Sequence, residues 1–137
     1  MSKAIMAGAA LLCVVFGEGS AHAQTVEDVQ FAPGDYGGML EGSVTGQAYV
    51  DHRLGATAGQ DLFAALTVAE TDGNGIAFFN VLPPGSDGVA IYNSSVEGNS
   101  TVVPLPEDGT YTIRVYLMGN DRDTDKRVDY LLDVSIQ

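Results

Sequence analysis

Three aspartates alternate in a short charged stretch near the C-terminal end of the sequence. They are Asp121, Asp123 and Asp125, within the run Asn120 to Arg127. Carboxylates at positions 1, 3 and 5 open a calcium-binding loop, and Asn120 adds another oxygen. The later part of that pattern fails. Lys126 stands where the loop needs glycine, and Leu132 stands where it needs a bidentate glutamate. No metal is therefore expected, and Asp121, Asp123 and Asp125 remain only a weak candidate set for a non-standard calcium site. The same stretch also carries Arg122, Lys126 and Arg127, while Arg53 and Arg114 are the only other cations after residue 23. A guanidinium in a loop can pair bidentately with carboxylates in another protein's cleft. The plainer alternative is a solvated hairpin turn with local Arg–Asp pairs, each worth ~0.2–1 kcal/mol.

Other reactive groups are scarce. His52 is the one histidine after residue 23, and Cys13 is the one cysteine of the chain. A histidine base needs a nucleophile or electrophile within reach. No nucleophile elbow, zinc-binding H-E-x-x-H or phosphate-cradling glycine loop is present. Acidic residues are so numerous that no particular pair stands out for glycoside hydrolysis. His52 reads as an ordinary surface or edge histidine, and the chain reads as a non-enzyme without a cofactor. Asn93-Ser94-Ser95 and Asn99-Ser100-Thr101 match the glycosylation acceptor pattern, which marks surface loop and little more.

The first 23 residues read as a signal peptide. Lys3 precedes an apolar run from Ala4 to Phe16, and Ala21-His22-Ala23 forms a small-residue cleavage site before Gln24. The run is too short for a comfortable membrane span. Residues 24–137 are then one exported, periplasmic domain without cysteine, although an extracellular destination is also compatible. The chain has 18 acidic and 6 basic residues, a net charge of -12. Lys3 and Glu18 cancel in the leader, so the domain keeps the whole charge. Such a field repels nucleic acid and anionic membranes and attracts a basic partner.

The elements that must position these groups are strands. Short β-branched and aromatic segments lie between Gly, Pro and Asn/Asp turns, with no convincing helix. The expected segments are 26–31, 36–44, 47–54, 62–68, 76–82, 89–92, 102–103, 110–117 and 129–136. Tyr49, Asp51 and Arg53 share one face by the two-residue period, and Tyr111, Ile113, Val115 and Leu117 oppose Thr112, Arg114 and Tyr116. Asp72-Gly73-Asn74-Gly75 is a hairpin-type signal. An all-β sandwich of two sheets and about eight antiparallel strands is expected. Strand order and oligomeric state are not readable from this pattern.

The segment Gly109 to Gln137 resembles the end of the periplasmic inhibitors of goose-type (g-type) lysozyme. Tyr36-Gly37-Gly38 to Gly46 resembles their first marked strand and turn, and Ala58-Gly59-Gln60 a following turn. Leu105-Pro106 with Gly109-x-Tyr111-x-x-Arg114-Val115 resembles the approach to the penultimate strand. Asn120-Asp121 and Tyr130-x-x-Asp133-Val134 complete a likeness that spans nearly all of residues 24–137. Part of the pattern is shared with pre-peptidase C-terminal-like sandwich modules. The resemblance implies an eight-stranded sandwich that blocks the cleft of a basic lysozyme and does no chemistry itself. It also implies contact positions, a tyrosine and two arginines, which fall here on Gln47, Gly119 and Asp123. None is preserved. Arg122 stands one residue before the last position, and Tyr49 two residues after the first, on the same strand face. The expected partner-binding set is Arg122, Tyr49, Lys126, Arg127, Asn120, Asp121 and Gln47, presented by a charged hairpin loop. The alternative is a non-catalytic envelope binding or structural module, supported by calcium.

Overall fold

Buried apolar residues recur at alternate positions along the longer segments, and the chain satisfies that pattern by pairing its segments into two sheets whose apolar faces meet. The structure, a computed structural model, describes residues 24–31, 33–86 and 88–137. The expected signal peptide lies outside the described residues. The strands are β1 (Gln24–Asp28), β2 (Gly37–Thr45), β3 (Tyr49–Ala56), β4 (Asp61–Thr71), β5 (Ala77–Leu82), β6 (Tyr92–Asn93), β7 (Ser100–Pro104), β8 (Gly109–Leu117) and β9 (Arg127–Ile136). Two single helical turns interrupt them, α1 (Ser94–Glu97) and α2 (Gly119–Asp123), where loop was expected. The first sheet has the order β1-β3-β8-β5-β6, and the second β2-β9-β4-β7. The expected two-sheet sandwich is thus found, with nine strands among the described residues. Its pairings are antiparallel apart from β1, which runs parallel to β3 with Gln24 opposite Tyr49.

Among the described strands only β5 and β6 follow one another within a sheet; every other connection crosses to the opposite layer. This corrects the expected hairpin at residues 120–127. β8 belongs to the first sheet and β9 to the second, so the charged stretch is an arch over the end of the sandwich. The Asp72–Gly75 signal is likewise an arch, from β4 to β5. A hairpin and an arch need the same polar, glycine-rich reversal, so turn chemistry does not tell them apart.

Phe79, Val81, Tyr111, Ile113 and Val115 from one sheet pack on Leu62, Val128, Leu132 and Val134 from the other. A buried polar side-chain bond crosses this core. His52 on β3 is fully buried, not at the surface, and its Nε2 lies 2.6 Å from the Tyr130 hydroxyl on β9. The Glu27 carboxylate on β1 lies 3.0 Å from His52 Nδ1, at ion-pair distance but without hydrogen-bond alignment. A carboxylate there favours the proton on Nδ1, which leaves Nε2 to accept from Tyr130. Burial pulls the His52 pKa below its ordinary value, and the carboxylates of Glu27 and Asp51 only partly offset this. Burial also raises the Tyr130 pKa, so its hydroxyl stays protonated. Tyr130 in turn needs Gly42, its partner on β2. A Cβ at residue 42 would stand 2.2 Å from the hydroxyl oxygen.

Asp121 on α2 ties its own arch to the arch between β4 and β5. Its side chain is fully buried. Oδ1 accepts from the Asn74 N–H at 2.8 Å and Oδ2 from the Ile76 N–H at 2.9 Å. The amides of Asn74, Ile76 and Gly75 and the Asn120 side chain hold the Asp121 carboxyl below its usual range, against the cost of burial. The Gly46 N–H donates to the Lys126 carbonyl at 3.0 Å and brings in the β2–β3 turn. Gly73 must be glycine here, because a Cβ would meet Asp121 Oδ1 at 2.5 Å.

Gly42→Ala is expected to destabilise the domain by about 1–3 kcal/mol through overpacking against Tyr130, read as a lower urea midpoint at unchanged slope. His52 binds its proton more readily unfolded than folded, so stability falls as pH drops below about 6.5. His52→Gln removes that step, and the pH 7.5 to 5.5 difference in unfolding free energy shrinks relative to wild type. For Asp121→Asn, amide hydrogen exchange at Asn74 and Ile76 accelerates roughly tenfold or more while the core strands keep their protection.

Candidate functional site

The β2–β3 turn delivers Gln47 and then Tyr49 to the outer face of the first sheet, where the register builds two rows. Tyr49 sits opposite Tyr116 on β8, which sits opposite Phe78 on β5. One step along, Asp51, Arg114, Asn80 and Asn93 lie side by side across β3, β8, β5 and β6. This face forms an open groove of about 410 Å³ that Met118 and Arg122 border at the arch end. Gln47, Tyr49 and Arg122 from the expected set therefore line one surface together.

The groove is pre-set by hydrogen bonds. Arg114 donates to Asp51 through Nε at 2.7 Å and Nη2 at 3.0 Å. The Gln24 side chain on β1 donates to the same carboxylate at 2.7 Å. Covered in this way, Asp51 is only 4% exposed although it is on the outer face. The Arg114 guanidinium lies 4.4 Å from the Tyr49 ring centroid, a cation–π contact that fixes both side chains. The Tyr116 hydroxyl donates to Asn80 Oδ1 at 3.0 Å. Ser95 donates to Asn93 Oδ1 through its backbone N–H at 3.1 Å and its hydroxyl at 2.6 Å. These bonds use the carbonyl oxygens of both asparagines and leave their NH₂ groups as donors. Among the described residues no Asp or Glu lines the groove, in a chain of net charge -12.

The other expected residues lie elsewhere. Arg127 is held by Asp129 through Nε at 2.9 Å and Nη2 at 2.6 Å. That pairing, with a hydrogen bond from Ser43, lowers the Asp129 pKa to about 2. Arg127 and Asp129 border a separate depression with Glu70 and Asp72, so its setting is acidic. The Lys126 stem packs at Gly73. The Asn120 carbonyl accepts from the Thr124 N–H and hydroxyl at 2.9 and 2.7 Å. Asp121, expected to meet a partner, has no side-chain surface left to offer. The weak calcium set also separates. α2 is helical, and residues two apart on a helix do not face each other. Asp121 turns inward, Asp123 and Asp125 are exposed, and no metal-binding cluster occurs among the described residues.

Sequence reasoning overlooked Arg114, Tyr116, Asn80, Asn93 and Ser95 as groove residues. The alternation of β8 did place Arg114 and Tyr116 on the outward side, but their neighbours across the sheet depend on strand order. The two possible glycosylation asparagines have structural duties: Asn93 caps α1, and Asn99 Nδ2 donates to the Ala77 carbonyl at 3.0 Å. The arrangement offers fixed donors and aromatic surface for recognising an acceptor-rich partner, and no nucleophile paired with a base.

No protein-family model matches the chain, and neither does any curated protein sequence. Solved structures do. PliG of Aeromonas hydrophila, a periplasmic lysozyme inhibitor of g-type lysozyme, is 33% identical with a TM-score of 0.76, over 85% of this chain and 100% of its own. PliG of Salmonella Typhimurium, described in the same terms, is 25% identical with a TM-score of 0.65, over 82% of this chain and 98% of its own. The pre-peptidase C-terminal domain of a Bacillus anthracis collagenase is 11% identical with a TM-score of 0.53, over 88% of this chain and 100% of its own, and shares the fold alone. One-third identity to the Aeromonas inhibitor along its whole length, on the same sandwich, means that the chain belongs to the family of periplasmic inhibitors of g-type lysozyme.

Proposed function

We propose that this protein blocks a g-type lysozyme by docking the groove of its first sheet, with Arg122 at the rim, onto the enzyme's cleft. As a member of its family it is a non-catalytic module that acts by binding. The observation that carries the proposal is the convergence of Gln47, Tyr49 and Arg122 with Arg114 and Tyr116 in one groove that no carboxylate lines among the described residues. Glycoside hydrolases work with Asp and Glu side chains in the cleft. A guanidinium matches a carboxylate geometrically and electrostatically. Arg122 has no hydrogen-bond or ion-pair partner among the described residues, so it reaches a partner without first breaking a bond. Arg114 contributes as a rigid donor, because Asp51 and Tyr49 already hold it. The net charge of -12 adds steering toward a basic lysozyme, while the local lack of carboxylates prevents repulsion at the contact itself.

Titrating residues 24–137 against a g-type lysozyme is expected to abolish lysis stoichiometrically. Arg122→Ala should weaken inhibition by ~2–5 kcal/mol if its charge is buried against a carboxylate, about thirtyfold or more in affinity. Arg127→Ala, which removes a cation already paired on the other sheet, should leave inhibition within about twofold. Full-strength inhibition by the Arg122 variant would rule out this groove, and no inhibition at micromolar excess of folded protein would rule out a g-type target.

A further inference from the structure

We infer that the same groove is also a binding site for a small carboxylate-bearing amino sugar, with Arg122 supplying the charge and Asn80 and Asn93 the neutral donors. The inference uses the chemistry of the groove alone and needs no lysozyme. Its volume of about 410 Å³ falls within the ~300–1,000 Å³ of small-ligand clefts. Two observations narrow the ligand class.

The first is the direction of the hydrogen bonds. Tyr116 and Ser95 donate to the carbonyl oxygens of Asn80 and Asn93. A ligand in the groove therefore meets the two carboxamide NH₂ groups, which suit the acceptor oxygens of hydroxyl and acetamido substituents. Such donors are fixed before binding, so little ordering entropy is lost when a ligand arrives.

The second is the charge. The acidic side chains of this chain are numerous, yet among the described residues none lines the groove and two arginines do. Arg114 is already bonded to Asp51, so its charge is largely balanced and its role is to hold the Tyr49 ring. Arg122 is exposed and carries the uncompensated charge. A neutral sugar could accept hydrogen bonds from it but leave its charge unbalanced, whereas a carboxylate substituent would pair with it. Tyr49 and Tyr116, adjacent and half-buried, supply the apolar floor that the carbon face of a pyranose requires.

The test is a nuclear magnetic resonance titration of residues 24–137 with N-acetylmuramic acid, N-acetylglucosamine and acetate in parallel. Saturable shifts at Asn80, Asn93 and Tyr116 are expected with the acid sugar, at affinity about tenfold above that for the neutral sugar or acetate. Arg122→Ala should remove the advantage of the acid over the neutral sugar, while Arg127→Ala should not change it. No saturable shift, equal affinity for both sugars, or equal affinity for acetate would overturn the assignment. Shifts confined to the Glu70–Asp129 depression would do the same. If lysozyme inhibition persists without sugar binding, only this inference fails. If the sugar binds but no lysozyme is inhibited, only the inhibitory reading fails.

Discussion

The bond between His52 and Tyr130 fixes how β3 sits against β9, and much of the molecule depends on that seating. It is a polar contact inside an apolar core, at 2.6 Å between two fully or almost fully buried groups. Neither partner could stay buried alone without losing a hydrogen bond worth far more there than in water. Gly42 leaves the room that Tyr130 occupies. Glu27 stands at the other ring nitrogen and so couples the edge strand β1 to the core. The preceding residue on β3 faces the opposite way. His52 points inward to set the layer contact, and Asp51 points outward to hold Arg114 over Tyr49. The core and the groove are therefore two faces of the same strand.

With no cysteine after residue 23, the sheets rely on packing and on their arches. Asp121 satisfies the backbone of one arch from within another, and this local order carries α2 and hence Arg122 to the rim of the groove. The charges nearby divide by role. Asp121 is a buried acceptor, Arg127 balances the acidic depression around Asp129, and Arg122 remains available to the solvent. A run that looks like one charged knot in the sequence is three separate devices in space.

The departures from the contact positions implied by the resemblance also have physical reasons. Gly119 opens α2 at φ 65°, a left-handed backbone that strongly favours glycine over arginine. Asp123 is exposed on the same turn, while Arg122, one residue earlier, borders the groove. On a helical turn a shift of one residue rotates a side chain by about 100°, so neighbouring positions address different surfaces. Gln47 keeps its place at the groove although the tyrosine expected there is absent, and Tyr49 supplies an aromatic ring on the same face.

The sequence by itself determined the class and the faces. Alternation along β8 and β9 sorts inward from outward residues, because side chains on a strand have a period of two and water rejects the apolar set. Glycine, proline and Asn/Asp clusters marked where the chain reverses, since only those residues suit the backbone there. What tertiary structure alone decided was which strands are neighbours. Alternation contains no information about partner identity, so the hairpin expected at residues 120–127 became an arch and β1 became a parallel edge. The same gap hid the groove. Asp51, Arg114, Asn80 and Asn93 are far apart in the chain and become one row only through the order β3-β8-β5-β6. His52 looked like a surface residue because a lone histidine's burial depends on whether a partner such as Tyr130, 78 residues away, crosses the core to meet it.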